Sequence, residues 1–143
     1  ILGGAPEKDA QLLYDFGIKM GLAFQLQDDY LDVYGDPAVF GKKIGGDILC
    51  NKKTFMLITA LSLAEGEDKE TLLNWLRATD YVAEEKIQSV TALYNKVGVP
   101  ELCQARIDAY YKEGLELLDK VNVESSLKEE LKKFVCHLMD RKL

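Results

Sequence analysis

Apolar residues recur three and four positions apart along almost all of the 143-residue chain, which is the spacing of an amphipathic helix. No stretch alternates with the period of two that is typical of a strand. The three prolines, Pro6, Pro37 and Pro100, each stand where a helix would begin or a connection would run. The sequence therefore predicts an all-α fold, a single domain over residues 1–143 built as a bundle of about six helices with short connections.

Caps, glycines and prolines suggest where the helices begin and end. The first is predicted from about Pro6 to Tyr34, and a charged, glycine-rich loop follows as far as about Asn51. The segment Lys53 to Ala64 is apolar almost all round, which is typical of a buried central helix. Gly66 is predicted to end that helix, and Asp68 is predicted to cap a short helix that reaches Arg77. Asp80 is predicted to cap another helix that reaches Val97, with Gly98 just after its end. Pro100 is predicted to begin the next helix, and Ser126 with Glu129 is predicted to form a capping box for the last one.

The same periodicity predicts which face of the long helices is buried. These faces are Leu13, Phe16, Met20, Phe24 or Ala23, Leu31 and Tyr34 in the first helix; Ile107, Tyr111, Leu115, Leu118 and Val121 in the fifth; and Leu127, Leu131, Phe134, Val135 and Leu138 in the last.

Composition excludes several classes of protein. Hydrophobic residues make up 48% of the chain and charged residues 29%, as in a globular protein with a substantial core. The formal charge of −6 argues against a nucleic-acid partner, and no apolar run is long enough to predict a membrane span. Three widely spaced cysteines without a CxxC pair favour free thiols in a reducing compartment, which predicts a cytoplasmic protein.

Acidic residues are concentrated near the end of the first predicted helix. No basic residue occurs between Lys19 and Lys42, whereas Asp28, Asp29 and Asp32 lie on one helical face with Gln25. Close carboxylates repel one another and oppose the helix dipole, and a divalent cation would relieve both penalties. Mg²⁺ binds one or two carboxylates together with phosphate oxygens, so this stripe predicts a Mg²⁺ site. A solvated acidic face is the alternative, although Gly17 and Gly21 leave open space beside the stripe.

The loop after this helix carries the opposite charge. Lys42, Lys43, Lys52 and Lys53 flank the pair Gly45-Gly46, where the backbone could approach an anion closely. Taken alone, these lysines are better explained as helix-flanking residues that balance the charge of nearby acids. Together with the acidic stripe, they favour a site for a metal-bound diphosphate. Neither an EF-hand nor a P-loop motif occurs in the sequence.

Two consecutive motifs stand out in this part of the sequence. The first is FQLQDDYLDVYGD at residues 24–36, and the second is GKKIGGD at residues 41–47 followed by KKT at residues 52–54. They resemble the second aspartate-rich motif, and the loop that comes next, of the trans-isoprenyl diphosphate synthases of the polyprenyl synthetase family, which include farnesyl and geranylgeranyl diphosphate synthases. The resemblance is strong from about Gly17 to Thr54, and weaker in the later helices.

The resemblance implies a helical fold of the isoprenoid synthase type and a Mg²⁺-dependent condensation of isopentenyl diphosphate with an allylic diphosphate. It implies that Asp28, Asp29 and Asp32 hold Mg²⁺ against the allylic diphosphate, with Asp28 and Lys42 as catalytic residues. It also implies substrate contacts by four residues: Lys42 and Lys52 at the diphosphate, Gln25 near the reacting centre, and Phe24 at the hydrocarbon pocket.

One difference from the family is large. Its members carry a first aspartate-rich motif on an earlier helix, and this chain has no second DDxxD. The resemblance then implies that the chain is the C-terminal half of a synthase, inactive by itself, and that the parent enzyme is a homodimer. A terpene cyclase of related fold and a non-catalytic helical module with a vestigial metal stripe are the alternatives.

Overall fold

A computed structural model of the chain describes residues 3–40 and 43–140. These residues form helices and turns and contain no strand, so the all-α prediction is confirmed. Within the described residues there are eight helices, six of them nine residues or longer: α1 (Glu7–Tyr34), α2 (Pro37–Phe40), α3 (Gly46–Leu49), α4 (Phe55–Leu63), α5 (Gly66–Arg77), α6 (Ala83–Lys96), α7 (Val99–Asp119) and α8 (Ser125–Met139). None of the described helices combines the length and apolarity needed to cross a membrane.

The chain divides into two compact units. Among the described residues, one unit consists of residues 3–27 and 105–140, and the other consists of residues 28–104. The helices α1 and α7 each contribute residues to both units. The single domain over residues 1–143 stays a prediction.

The unit formed by residues 3–27 and 105–140 has an apolar centre. Phe16, Leu118 and Val135, from α1, α7 and α8, are buried together. Gly114 of α7 lies so close to α1 that a Cβ atom there would overlap the Cε atom of Met20. A larger residue at position 114 would therefore require the Met20 side chain to move. Further partly buried side chains pack against this centre, namely Met20, Tyr111, Leu117, Leu131 and Met139.

The unit formed by residues 28–104 is arranged around α6, which contacts α3, α4 and α5. The Trp75 indole N–H donates a hydrogen bond of 2.8 Å to the Ser89 hydroxyl and so joins α5 to α6. The Tyr34 hydroxyl donates a 2.7 Å bond to the Asn95 side-chain oxygen, which fixes the end of α1 to α6. The apolar core of this unit includes Met56, Leu57, Ala60, Leu72 and Val90.

Several predicted helix boundaries are wrong. Gly66, with φ of 57°, begins α5 instead of ending α4, and Asp68 lies inside the first turn of α5. Val82 is the N-cap of α6, not Asp80. Glu124 is the N-cap of α8 and makes no side-chain cap bond, so the capping box does not form. The cap that does form is Thr54, whose hydroxyl accepts the Leu57 N–H at 3.1 Å.

The predicted loop between Gly35 and Asn51 contains the short helices α2 and α3. The predicted buried faces are also incomplete, because Leu13, Phe24, Leu127 and Phe134 are exposed, and so are Ile58 and Leu63 of the supposedly buried α4. Ala23, given as the alternative to Phe24, is fully buried. Periodicity identifies the apolar face of a helix, but the neighbouring elements decide how much of that face is covered.

Candidate metal and diphosphate site

The acidic stripe occupies the last two turns of the continuous helix α1. The helix places Asp28 and Asp32 four residues apart, and Asp29 and Asp32 three apart, so each pair shares a face. Asp29 is buried, whereas Asp28 and Asp32 are half-buried. The stripe is therefore not a fully solvated acidic surface.

Lys52 connects the loop to this stripe. Its Nζ atom lies 2.9 Å from Asp29 Oδ1 and 3.8 Å from Asp47 Oδ2. The hydrogen bond to Asp29 is the main reason that the pKa of Lys52 is raised, with further contributions from the charges of Asp29, Asp47 and Asp28. The Lys52 side chain is 46% exposed while that of Asp29 is 8% exposed, so the ammonium group lies at the boundary between the carboxylates and solvent.

Asp32 positions the loop that contains the glycine pair. Its backbone carbonyl accepts the Gly45 N–H at 2.7 Å, and its Oδ2 accepts the Asp47 N–H at 2.9 Å. Gly45 has φ of 93° and packs so tightly that a Cβ atom would lie 2.5 Å from Cδ1 of Ile87. Glycine is therefore needed at position 45 both for its backbone conformation and for space.

Asp47 is a fourth carboxylate of the site, which the sequence analysis did not single out. Burial and the negative charge of Asp32 raise the pKa of Asp47, whereas Lys52 acts in the opposite direction. The signal for this residue was its place in the motif GKKIGGD, directly after the glycine pair.

The donor chemistry of the site fits a divalent cation. Among the described residues, no group of three or more acidic, histidine or cysteine side chains is already arranged to hold a metal. Mg²⁺ does not require such a group, because it binds through one or two carboxylates plus phosphate oxygens and water. Asp29 and Asp47 supply hard oxygen donors next to the Lys52 ammonium group, and Asp32 is joined to Asp47 through the Asp47 N–H. A cation would reduce the mutual repulsion of these carboxylates.

The structure does not bring every predicted site residue into this cluster. Lys42 lies outside the described residues, and the side chains of Lys43 and Lys53 are exposed. Gln25 is exposed on the part of α1 that belongs to the other unit. The metal and substrate roles of these residues stay predictions.

Phe24 also belongs to the unit of residues 3–27 and 105–140, where it lines an apolar pocket of about 260 Å³. The other lining residues are Met20, Gly21, Val135, Leu138 and Met139. Apart from the adjoining residues and the backbone of α1 itself, no described atom would lie within 4 Å of a Cβ atom built at Gly17 or Gly21, in agreement with the open space predicted there.

Comparison with known proteins identifies the family. Residues 1–95 match the sequence model of the polyprenyl synthetases. A short chain isoprenyl diphosphate synthase of Methanothermobacter thermautotrophicus is 35% identical over 130 residues, which cover 89% of this chain and 39% of that protein. A geranylgeranyl diphosphate synthase of Sulfolobus acidocaldarius is 28% identical over 142 residues, which cover 99% of this chain and 42% of that protein.

Comparison with solved structures points to the same family. A crystal structure of a geranylgeranyl pyrophosphate synthase superposes with a TM-score of 0.85 at 34% identity, covering 98% of this chain and 44% of the other. Another, from Corynebacterium glutamicum in complex with isoprenyl diphosphate and magnesium, gives a TM-score of 0.84 at 30% identity, covering 96% and 39%. The chain thus spans about two-fifths of the length of these relatives. The matched residues, the helical fold and the acidic stripe with its loop together show that this chain belongs to the polyprenyl synthetase family.

Proposed function

We propose that the protein acts in a Mg²⁺-dependent prenyl transfer, in which isopentenyl diphosphate condenses with an allylic diphosphate to give a longer isoprenyl diphosphate. The observation that carries the proposal is the contact of Lys52 with Asp29 and Asp47 beside the acidic stripe of α1. This arrangement offers carboxylates for a metal and an ammonium group for an anion in one place. The Corynebacterium relative, which was crystallised with isoprenyl diphosphate and magnesium, supports the choice of both ligands.

The chemistry requires that negative charge be stabilised on a departing diphosphate. Asp28, Asp29 and Asp32 would hold Mg²⁺, which supplies positive charge to the diphosphate when bound. Lys52 would exchange some of its contacts with carboxylates for hydrogen bonds that it donates to diphosphate oxygens, since its side chain is partly exposed. Asp32 would keep the loop in place through its bonds to Gly45 and Asp47.

The remaining assignments belong to the same proposal. Lys42 would contact the diphosphate, Gln25 would donate a hydrogen bond near the reacting centre, and Phe24 would contact the hydrocarbon chain. The apolar pocket that Phe24 lines supports the role given to this residue. Exposed apolar side chains along α1, such as Ile18 and Leu22, support a homodimer. Three free cysteines support a cytoplasmic location.

Isothermal titration calorimetry with Mg²⁺ and pyrophosphate tests the site on the protein directly. We expect binding heat when both ligands are present, much less with Mg²⁺ alone, and none after EDTA is added, because Mg²⁺ alone keeps its water ligands. Lys52→Met should weaken binding about tenfold or more, since a charged hydrogen bond to the anion is lost. Lys52→Arg should retain part of the affinity.

Matched controls make this test specific. Lys69→Met removes an exposed lysine of α5 that is not among the candidate site residues and should leave the affinity unchanged. Asp32→Asn should weaken binding, whereas Asp36→Asn should not, because Asp36 lies after α1 and bonds the Ala38 N–H. Equal affinity in the wild type, Lys52→Met and Asp32→Asn would refute the proposed site.

A further inference from the structure

Lys86 is a buried cation that the proposed chemistry does not use. It lies in α6, and only 1% of its surface is exposed. Its Nζ atom donates a 2.6 Å hydrogen bond to Oδ1 of Asn51 and lies 4.6 Å from the centre of the Tyr81 ring. Within the part of the chain that the structure describes, Lys86 has no carboxylate at ion-pair distance.

Burial of an ammonium group destabilises the folded protein unless its charge is compensated. The amide oxygen of Asn51 and the face of the Tyr81 ring compensate this charge less well than a carboxylate would. An apolar side chain of similar length would fill the same space without this cost. Packing therefore does not account for a lysine at position 86. The identity of its hydrogen-bond partner suggests what the charge is for.

Asn51 adopts an unusual backbone conformation that two side-chain bonds hold in place. Its φ of 55° makes it the one non-glycine residue with positive φ in residues 3–40 and 43–140. Its Nδ2 atom donates a 3.2 Å bond to the carbonyl oxygen of Leu76 near the end of α5, while Lys86 of α6 donates to its Oδ1. Two helices thus clamp the turn at Asn51 through opposite ends of one amide.

The clamped turn leads directly into Lys52. The Lys52 N–H donates a 3.0 Å bond to the carbonyl oxygen of Asp47, so the backbone at Lys52 is tied to the site. Asp47, Asn51, Lys52 and Lys86 line one small cavity of about 10 Å³. A change in the turn at Asn51 would therefore alter the direction in which the Lys52 side chain leaves the loop.

We propose that Lys86 is a positioning residue for the diphosphate site, which acts through Asn51 to aim Lys52 at Asp29 and at the anion. The proposal rests on the proposed function of that site. Lys86 itself contacts neither the anion nor the metal. Its effect on binding should therefore require the Lys52 side chain.

A double-mutant cycle tests this dependence. Pyrophosphate binding with Mg²⁺ is measured by calorimetry, and thermal melting is recorded, for the wild type, Lys86→Met, Lys52→Met and the double variant. We expect Lys86→Met to weaken binding about tenfold when Lys52 is present, and less than twofold when position 52 is methionine. The shift in melting temperature caused by Lys86→Met should be the same in both backgrounds.

The non-additive loss of affinity is the result that a purely structural lysine would not produce. Leu72→Ala, which creates a cavity in the core of the same unit, is the control for destabilisation and should leave affinity unchanged. If Lys86→Met does not fold, Asn51→Gly decides the matter, because glycine keeps the positive φ while it removes both side-chain bonds. It should weaken binding in the same Lys52-dependent way.

The outcomes separate this inference from the proposed function. Absence of binding by the wild type refutes the proposed function, and the inference with it. Binding by the wild type, together with an equal effect of Lys86→Met in both Lys52 backgrounds or with no effect at all, overturns the inference alone.

Discussion

In the unit formed by residues 3–27 and 105–140, the helices meet through apolar side chains around Phe16, Leu118 and Val135, and two polar residues, Asp9 and Gln27, are buried there as well. In the unit formed by residues 28–104, an apolar core is accompanied by the buried polar residues Asp29, Thr54 and Lys86. Two of these bond to residues of the loop before α4, and Thr54 caps that helix. The comparison teaches that the same helical architecture can gain stability by filling volume in one place and fix a loop by directed polar contacts in another.

The largest effect on stability is expected in the unit formed by residues 3–27 and 105–140. Leu118→Ala should lower the free energy of unfolding by about 3 kcal/mol, because Leu118 is 1% exposed and its loss leaves a cavity. Leu127→Ala makes the same change at a side chain that is 63% exposed and should stay within about 0.5 kcal/mol of the wild type. Urea denaturation followed by circular dichroism measures both. Equal losses would mean that volume is not what stabilises this unit.

A smaller loss of stability is expected in the loop around Gly45, in the unit formed by residues 28–104. The backbone conformation of the loop is the main determinant of stability there. Gly45→Ala should cost about 2 kcal/mol, because alanine strains a φ of 93° and its Cβ would overlap Ile87. Gly46→Ala should be nearly neutral, since its Cβ would lie 3.6 Å from Asp32 Oδ1, an ordinary contact. The same urea titrations measure the pair. Similar losses at both positions would contradict the loop geometry.

A further prediction concerns pH and the buried thiol of Cys103. Burial, with a contribution from the charge of Asp29, raises the pKa of Cys103 to about 12 from an ordinary value of 9.0. The folded state therefore holds this proton more tightly than the unfolded state does. The resulting stabilisation is complete below pH 9 and is lost as the pH rises toward 12. The stability difference between the wild type and Cys103→Ala should shrink over that range in urea titrations.

Thiol labelling at pH 8 gives an independent check. Cys50 and Cys136, which are exposed, should react with a disulfide reagent in the native protein, whereas the buried Cys103 should react only after unfolding. Equal labelling rates for the three cysteines would contradict the burial of Cys103.

Local sequence patterns were sufficient for much of the architecture. Periodicity and the position of Tyr34 before Gly35-Asp36-Pro37 predicted α1 almost to the residue. Capping was predicted poorly, because Asp68, Asp80 and Ser126 have the right chemistry but lie inside or before the helices that form. A cap depends on the backbone angles of one residue, and packing of the whole helix fixes where those angles occur.

The sequence by itself determined the helical fold class and the acidic stripe on α1, since both follow from spacing along a single helix. Only the tertiary structure decided that Lys52 meets Asp29, 23 residues away, and that Lys86 holds Asn51, 35 residues away. The half-buried carboxylate of Asp47, whose N–H bonds Asp32, emerged in the same way. The physical reason is that helix periodicity is a local property, whereas these contacts depend on how α1, α3 and α6 pack around the intervening loop.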